Sequence, residues 1–122
     1  MARILVVEDD IDIAALVAHK LRSAGHDVAQ VEDGDAALAA IRTQRPDLVV
    51  LDWMIPGPDG IAVCETVRAD PELAATRILM LTAKAQESDF ERAFRSGADE
   101  YMQKPFSTRE LIVRAESILA RT

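Results

Sequence analysis

The sequence has little of what small domains use for covalent stabilisation or aromatic packing. It contains one cysteine, Cys64, so no internal disulfide can form. This thiol lies in an apolar stretch, which favours a packed core residue over a reactive one. Aromatic residues make up only 4% of the chain, whereas 49% of the residues are apolar. We therefore expect one domain with a core built mainly from Leu, Ile, Val, Ala and Met.

Positive charge is also scarce, because 14 basic residues stand against 21 acidic ones and give a net charge of −7. A negative surface repels phosphate backbones, which argues against nucleic-acid binding by this domain itself. No apolar run approaches the roughly 20 residues that a membrane-spanning helix needs. The amino terminus turns acidic too early for a signal peptide. Together with the single cysteine, these absences favour a soluble cytoplasmic domain without a membrane partner.

What the sequence does contain is a regular alternation of short apolar runs and helical segments. Residues 4–7 form a continuous aliphatic run, as expected for a strand that is buried on both faces. Gly25 and Gly97 are expected helix ends, and Ser107 followed by Glu110 has the capping-box pattern. The predicted strands are Ile4–Val7, Asp27–Val31, Asp47–Leu51, Arg77–Leu81 and Asp99–Gln103. The predicted helices are Ile11–Ala24, Asp35–Thr43, Gly60–Ala69, Glu87–Ser96 and a last helix from Ser107 to about Ala120.

Five strand–helix units without repeats or linkers predict a single α/β domain over residues 1–122, with helices on both faces of a parallel sheet. Open sheets of this kind bind ligands at the carboxyl ends of their strands. Polar side chains stand at or just after four of those ends, namely Glu8, Asp9, Asp10, Asp52, Thr82 and Lys104. Any one of them alone is an ordinary residue at a strand end. All of them together predict a site.

Several carboxylates in one crevice need compensating positive charge. Two unit charges 4 Å apart repel by about 4 kcal/mol at an effective dielectric constant near 20. Carboxylate oxygens suit Mg²⁺ (or Mn²⁺), which keeps some of its waters and accepts phosphate oxygens. Lys104 adds a fixed positive charge and Thr82 adds a hydroxyl donor. A carboxylate nucleophile with these partners has what aspartyl phosphorylation requires.

Four segments of the chain resemble a known family: ILVVEDD, LVVLDWMIPGPDG, ILMLTAK and GADEYMQKPF. They are similar to the signature segments of response-regulator receiver domains of two-component signal transduction, and the similarity extends from Arg3 to Leu119. The resemblance implies a flavodoxin-like, doubly wound α/β fold with five parallel strands in the order 2-1-3-4-5. It also implies a regulatory domain rather than an enzyme. Such a domain accepts a phosphoryl group from a sensor histidine kinase or a phosphotransfer protein.

The same resemblance assigns the acceptor and the metal ligands. Asp52 stands at the phosphoacceptor position. Glu8, Asp9, Asp52 and the main-chain carbonyl of Met54 stand at the positions of the Mg²⁺ ligands. For Asp10 we expect an N-cap of the first helix rather than a metal ligand.

The resemblance also assigns the residues that bind the phosphoryl group and transmit the signal. Thr82 is the switch hydroxyl, and Lys104 binds a phosphoryl oxygen. Tyr101 is the switch aromatic residue, expected to turn inward when Thr82 is drawn towards the phosphoryl group. The Lys104–Pro105 peptide bond is expected to be cis, which proline makes accessible at about 0.5–1 kcal/mol. The switched surface would comprise helix four, strand five and helix five.

The sequence does not identify the effector that this domain would control. The chain resembles receivers attached to winged-helix DNA-binding domains, and it also resembles stand-alone chemotaxis-type receivers. The first group forms phosphorylation-dependent homodimers through paired charges, and five residues resemble part of that set: Asp99, Glu100, Glu110, Arg114 and Arg121. Phe90 and Arg95 depart from the set. Phe90 either makes an exposed apolar contact with another partner or, as we expect, turns inward to the core. The cognate kinase, the effector and the oligomeric state do not follow from the sequence.

Three alternative classes fit less well. A phosphohydrolase of the haloacid-dehalogenase type would carry a second Asp where Met54 stands. A flavin or nucleotide carrier would need a small, phosphate-binding loop after the first strand, where the sequence has Glu-Asp-Asp. An EF-hand calcium loop fails because Asp10-Ile11-Asp12 lacks the later ligands and the glycine.

Overall fold

Five strands and five helices alternate along the chain, in the order that the sequence predicts. The structure is a computed structural model and describes residues 1–121, so the expected domain end at residue 122 lies outside the described residues. The strands are β1 (Arg3–Val7), β2 (Asp27–Val31), β3 (Leu48–Asp52), β4 (Arg77–Thr82) and β5 (Glu100–Gln103). The helices are α1 (Ile11–Ser23), α2 (Gly34–Gln44), α3 (Gly60–Ala69), α4 (Glu87–Ser96) and α5 (Thr108–Leu119).

The strands form one parallel sheet in the order β2-β1-β3-β4-β5, as the resemblance implies. Within residues 1–121, no helix is both long enough and apolar enough to cross a membrane. Alternate side chains of a strand point to opposite faces, and both faces of this sheet are covered. Helices α1 and α5 pack on one face with Ile4 and Val6, and helices α2, α3 and α4 pack on the other with Leu5 and Val7. This two-sided burial explains the continuous aliphatic runs in the central strands.

Most helix ends follow the expected local chemistry. The Asp10 side chain caps α1 by accepting from the backbone amides of Asp12 and Ile13, which confirms its expected role. Gly25 and Gly97 adopt positive φ angles of 96° and 112° just after helices α1 and α4.

The capping box expected at the start of α5 is only half formed. The Ser107 hydroxyl accepts from the amide of Glu110, but the Glu110 carboxylate contacts Arg114 instead of returning to the cap.

The predicted boundaries are wrong by one residue at several ends. Helix α2 extends one residue further at each end than predicted, and β5 begins at Glu100 rather than at Asp99. The Asp99 carboxylate accepts from the amide of Ile78 at 2.7 Å and pairs with Arg68 at 3.0 Å. Asp99 therefore ties the turn before β5 to the start of β4, which a pattern of apolar residues does not reveal.

Gly34 allows the start of α2 to lie against the loop after β3. Its amide donates to Pro56, and an added Cβ would overlap the carbonyl of Pro58. We expect Gly34→Ala to lower the free energy of unfolding by about 1–3 kcal/mol, because the backbone of the loop must shift. Urea unfolding measures this change. The exposed control Glu32→Ala should stay within about 0.5 kcal/mol of the wild type, and an equal loss in both variants would contradict the steric explanation.

Cys64 is fully buried, and burial raises the pKa of its thiol to about 12. Since the thiolate is the reactive form, alkylation of the native protein at pH 8 should be about a thousandfold slower than that of the unfolded chain. The rate of iodoacetamide addition, followed by intact mass with and without urea, tests this expectation. Native alkylation at the unfolded rate would show that the thiol is accessible.

Candidate functional site

The parallel register brings the polar strand ends together at one edge of the sheet. Val7 of β1 pairs with Leu51 of β3, so Glu8 and Asp52 follow side by side. Thr82 ends β4, the strand next to β3, and Lys104 follows the last residue of β5. Because all the strands run in one direction, the predicted residues converge here as the sequence analysis expects.

Three carboxylates form an acidic cluster at this edge. Glu8, Asp9 and Asp52 each offer an oxygen, and these three atoms lie within 4.8 Å of one another. Glu8 and Asp52 are only 3% and 4% exposed, whereas Asp9 is exposed. Buried carboxylates at this separation are stable only when cations or hydrogen bonds compensate them.

Lys104 supplies part of that compensation. Its ammonium lies 2.6 Å from Oε1 of Glu8 and 3.1 Å from Oδ2 of Asp52. The Lys104–Pro105 peptide bond is cis, as expected. The ammonium thus bridges the ends of β1 and β3 from a residue that follows β5.

The electrostatics of the cluster indicate that negative charge remains in excess. Burial, a hydrogen bond with Asp52 and the Asp52 charge raise the pKa of Glu8, although Lys104 acts against them. Burial lowers the pKa of Lys104, but the hydrogen bonds and charges of Glu8 and Asp52 outweigh this effect and raise it overall. The lysine therefore stays protonated between the two carboxylates that it contacts, Glu8 and Asp52.

The donor set fits a hard divalent cation. Carboxylate oxygens that supply part of a coordination sphere suit Mg²⁺, which keeps waters in its remaining positions. The backbone amide of Met54 donates to Oδ1 of Asp52 at 3.3 Å, which brings the Met54 main chain next to the cluster. The Met54 side chain points outward and is 59% exposed. Only the main chain of this residue is therefore available to the site.

A chain of contacts leads from Thr82, at the end of β4, to Tyr101 in β5. The hydroxyl of Thr82, which is completely buried, accepts from the backbone amide of Lys84 at 3.0 Å. The hydroxyl of Tyr101 donates to the carbonyl of Lys84 at 2.5 Å. Tyr101 lies inward at 8% exposure and meets the Phe90 ring edge-on, with 4.6 Å between the ring centroids. Burial and the charge of Asp89 raise the pKa of the Tyr101 phenol.

Lys84 was not among the predicted site residues. Its ammonium lies 5.2 Å from the centroid of the Trp53 ring, next to Asp52 in sequence. The segment ILMLTAK contains this lysine, but nothing in its spacing indicates a contact that depends on the conformation of two loops.

The charge set that resembles a dimer interface is paired within the chain. Glu100 contacts Arg114 at 3.2 Å and Arg121 at 2.9 Å, and Asp99 contacts Arg68.

Phe90 packs against the core, so it is not an exposed contact. Among the histidines, His19 is exposed, and the partly buried His26 accepts from the amide of Ala2 at 3.2 Å.

The fold and the cluster define a doubly wound α/β domain with an acidic site at the carboxyl ends of its strands. The profile of the family described as "Response regulator receiver domain" matches residues 4–116. This chain belongs to that family and is a receiver domain of two-component response regulators.

Known proteins similar to this chain include regulators with longer chains. The DNA-binding response regulator MtrA of Mycobacterium tuberculosis is 47% identical over 119 residues, covering 98% of this chain and 51% of that protein. The phosphate regulon transcriptional regulatory protein PhoB of Rhizobium meliloti is 40% identical over 121 residues, covering 99% and 53% respectively. The chain thus spans about half the length of these relatives. The crystal structure of a putative response regulator from Chloroflexus aurantiacus has a TM-score of 0.93 and 38% identity, covering 98% of each chain.

Asp9 provides a direct test of the excess negative charge. In EDTA, Asp9→Asn should raise the free energy of unfolding by about 1 kcal/mol, because it removes one repelling carboxylate. The same change should reduce the stabilisation that Mg²⁺ gives, since a ligand that binds only the folded state stabilises it by mass action. Urea unfolding with EDTA or Mg²⁺ measures both effects. The exposed control Asp12→Asn should leave both the free energy of unfolding in EDTA and the stabilisation by Mg²⁺ close to those of the wild type. Equal changes in the two variants would contradict the excess of negative charge at the cluster.

Proposed function

We propose that this chain is a phosphorylation-activated switch in which Asp52 accepts a phosphoryl group from a histidine kinase or a phosphotransfer protein. The observation that carries the proposal is the position of the Asp52 carboxylate. It lies beside two further carboxylates at the carboxyl edge of the sheet, and its Oδ2 contacts the Lys104 ammonium. An aspartate that only supported the fold would not need this concentration of charge around it.

The cluster residues are the proposed ligands of Mg²⁺, or of Mn²⁺ in its place. Glu8, Asp9 and Asp52 would bind through carboxylate oxygens, Glu8 directly or through water, and Met54 through its main-chain carbonyl. When bound, the cation offsets the negative charge of the acceptor and of the incoming phosphoryl oxygens. The donor set supports this role, because three carboxylates lie together and the Lys104 ammonium contacts two of them.

Asp52, Lys104 and Thr82 have separate roles in the proposed phosphoryl transfer. An oxygen of the Asp52 carboxylate forms the new O–P bond while the P–N bond of the phosphohistidine donor breaks, and the electron pair leaves with the imidazole. Lys104, already within hydrogen-bond distance of Asp52, binds one phosphoryl oxygen. The Thr82 hydroxyl can keep its hydrogen bond from the Lys84 amide and donate its own proton to a second oxygen. Phosphoryl transfer depends mainly on this positioning and charge compensation.

The switch would run from Thr82 to Tyr101. Donation from Thr82 to a phosphoryl oxygen fixes the hydroxyl and, through it, the loop that carries Lys84. The inward Tyr101 is then stabilised by its hydrogen bond to that loop. We propose that the surface of α4, β5 and α5 is the output, because Tyr101 lies in β5 and contacts Phe90 of α4.

The proposed role is regulatory, without turnover of small substrates. Met54 stands where a phosphohydrolase would need a general acid, and its side chain points into solvent. The chain would thus promote only its own phosphorylation and dephosphorylation. Its output partner is proposed to be an effector domain or a separate protein, since the relatives are described as DNA-binding and transcriptional regulators.

A homodimer through the output surface is the second element of the proposal. Glu100 already pairs with Arg114 and with Arg121, so a dimer that uses these charges must first exchange internal pairs for intermolecular ones. We expect the exchange to cost little, because partly exposed ion pairs contribute about 0–1 kcal/mol. Light scattering of the phosphorylated and unmodified chain measures the molecular weight. An unchanged monomer after complete phosphorylation would exclude this dimer.

The acceptor is tested with phosphoramidate as the donor. In Mg²⁺, the intact mass should rise by one phosphoryl group, and EDTA or Asp52→Asn should abolish the gain. The matched control is Asp47→Asn, because Asp47 stands at the opposite edge of the sheet, where its carboxylate accepts from the amide of Arg3. The control should react like the wild type. Phosphorylation of the Asp52→Asn variant, or none of the wild type, would contradict the proposed function.

A further inference from the structure

Lys84, in the loop between β4 and α4, contacts three functional elements at once. Its amide donates to the hydroxyl of Thr82, and its carbonyl accepts from the hydroxyl of Tyr101. Its ammonium lies over the ring of Trp53.

The Trp53 ring beneath the Lys84 ammonium is held in place by its surroundings. Trp53 is only 4% exposed and belongs to the core cluster beneath α2, α3 and α4. Its amide donates to the carbonyl of Leu81 at 3.0 Å, so its backbone is tied to β4 as well. A cation within about 6 Å of an indole centroid is attracted by the face of the ring. At 5.2 Å, the Lys84 ammonium meets this condition.

The backbone amide and the side chain of Lys84 are thereby held by separate contacts. The Thr82 hydroxyl fixes the amide, and the Trp53 ring fixes the side chain, which leaves the carbonyl aimed at Tyr101. A loop residue without these restraints would sample several backbone conformations, and most of them would turn the carbonyl away. The contact with Trp53 therefore favours the loop conformation that accepts the Tyr101 hydroxyl.

We propose that Lys84 is a positioning residue whose ammonium, held over Trp53, stabilises the inward position of Tyr101. None of its three contacts uses the Asp52 carboxylate, so the stabilisation acts with or without a phosphoryl group. The domain then holds part of its population in the inward state before phosphorylation, and Lys84 sets the size of that part. The inference rests on the proposed function in one respect, since it takes Tyr101 as the readout of the switch.

If Lys84 acted only through packing, removal of its charge would not move Tyr101. The aliphatic stem of lysine can cover the indole without help from its charge. Lys84→Met keeps the length and apolar character of the stem but removes the charge, whereas Lys84→Arg keeps the charge. Lys20, exposed in the last turn of α1, provides the matched control Lys20→Met.

The chain offers a clean probe, because it contains one tyrosine and one tryptophan. The ¹⁹F NMR signal of 3-fluorotyrosine reports the environment of Tyr101, and the change in its shift between H₂O and D₂O reports its exposure. Lys84→Met should reduce the inward-to-outward ratio about two- to fivefold, as expected from the strength of an exposed cation–π contact. Lys84→Arg and Lys20→Met should match the wild type. In a Trp53→Leu background, Lys84→Met should have no further effect.

Two results would overturn the inference: no change in the exposure of Tyr101 in Lys84→Met, or an equal change in Lys84→Arg. Addition of beryllofluoride with Mg²⁺, as a phosphoryl mimic, separates this inference from the proposed function. Beryllofluoride should restore the inward signal in Lys84→Met. If the mimic leaves the signal of Lys84→Met unchanged, the proposed function fails, while the comparison of the lysine variants without it still decides the role of Lys84.

Discussion

The ammonium of Lys104 between Glu8 and Asp52 is the interaction on which the site depends. Asp52 and Glu8 are buried side by side because β1 and β3 are paired and parallel, and their mutual repulsion would oppose that arrangement. Lys104 follows β5, so its single charge links the end of that strand to the ends of β1 and β3. With Asp9 the cluster still has more negative than positive charge. The proposed cation would offset this excess, both for the carboxylates and for an incoming phosphoryl group.

The same edge of the sheet also explains how a local event could reach a distant surface. Thr82 is buried at the end of β4, and its hydroxyl binds the loop that carries Lys84. That loop in turn binds Tyr101, which packs against Phe90 of α4. Two of these contacts are hydrogen bonds and the third is an edge-on ring contact, so they connect the Thr82 hydroxyl to α4 through the loop and Tyr101. In the proposed function, a phosphoryl group on Asp52 biases this chain of contacts between two states.

The alternation of strands and helices, the position of the site and the Asp10 cap were predictable from the sequence, because they depend on local pattern and on the parallel topology. Features that depend on long-range packing were not. The internal pairing of Glu100 needs the actual spacing of β5 and α5, and the contact between Lys84 and Trp53 needs the conformation of two loops. The half-formed capping box has a local cause instead, since Glu110 has a competing partner one helical turn later in Arg114.

The most direct test of the central claim is to locate the phosphoryl group chemically. After reaction with phosphoramidate in Mg²⁺, borohydride reduces an aspartyl phosphate to homoserine, which peptide mass spectrometry assigns to a single residue. The account predicts homoserine at position 52, with Glu8 and Asp9 unmodified. Homoserine at another aspartate, or a phosphoryl group on a hydroxyl that borohydride leaves intact, would contradict it.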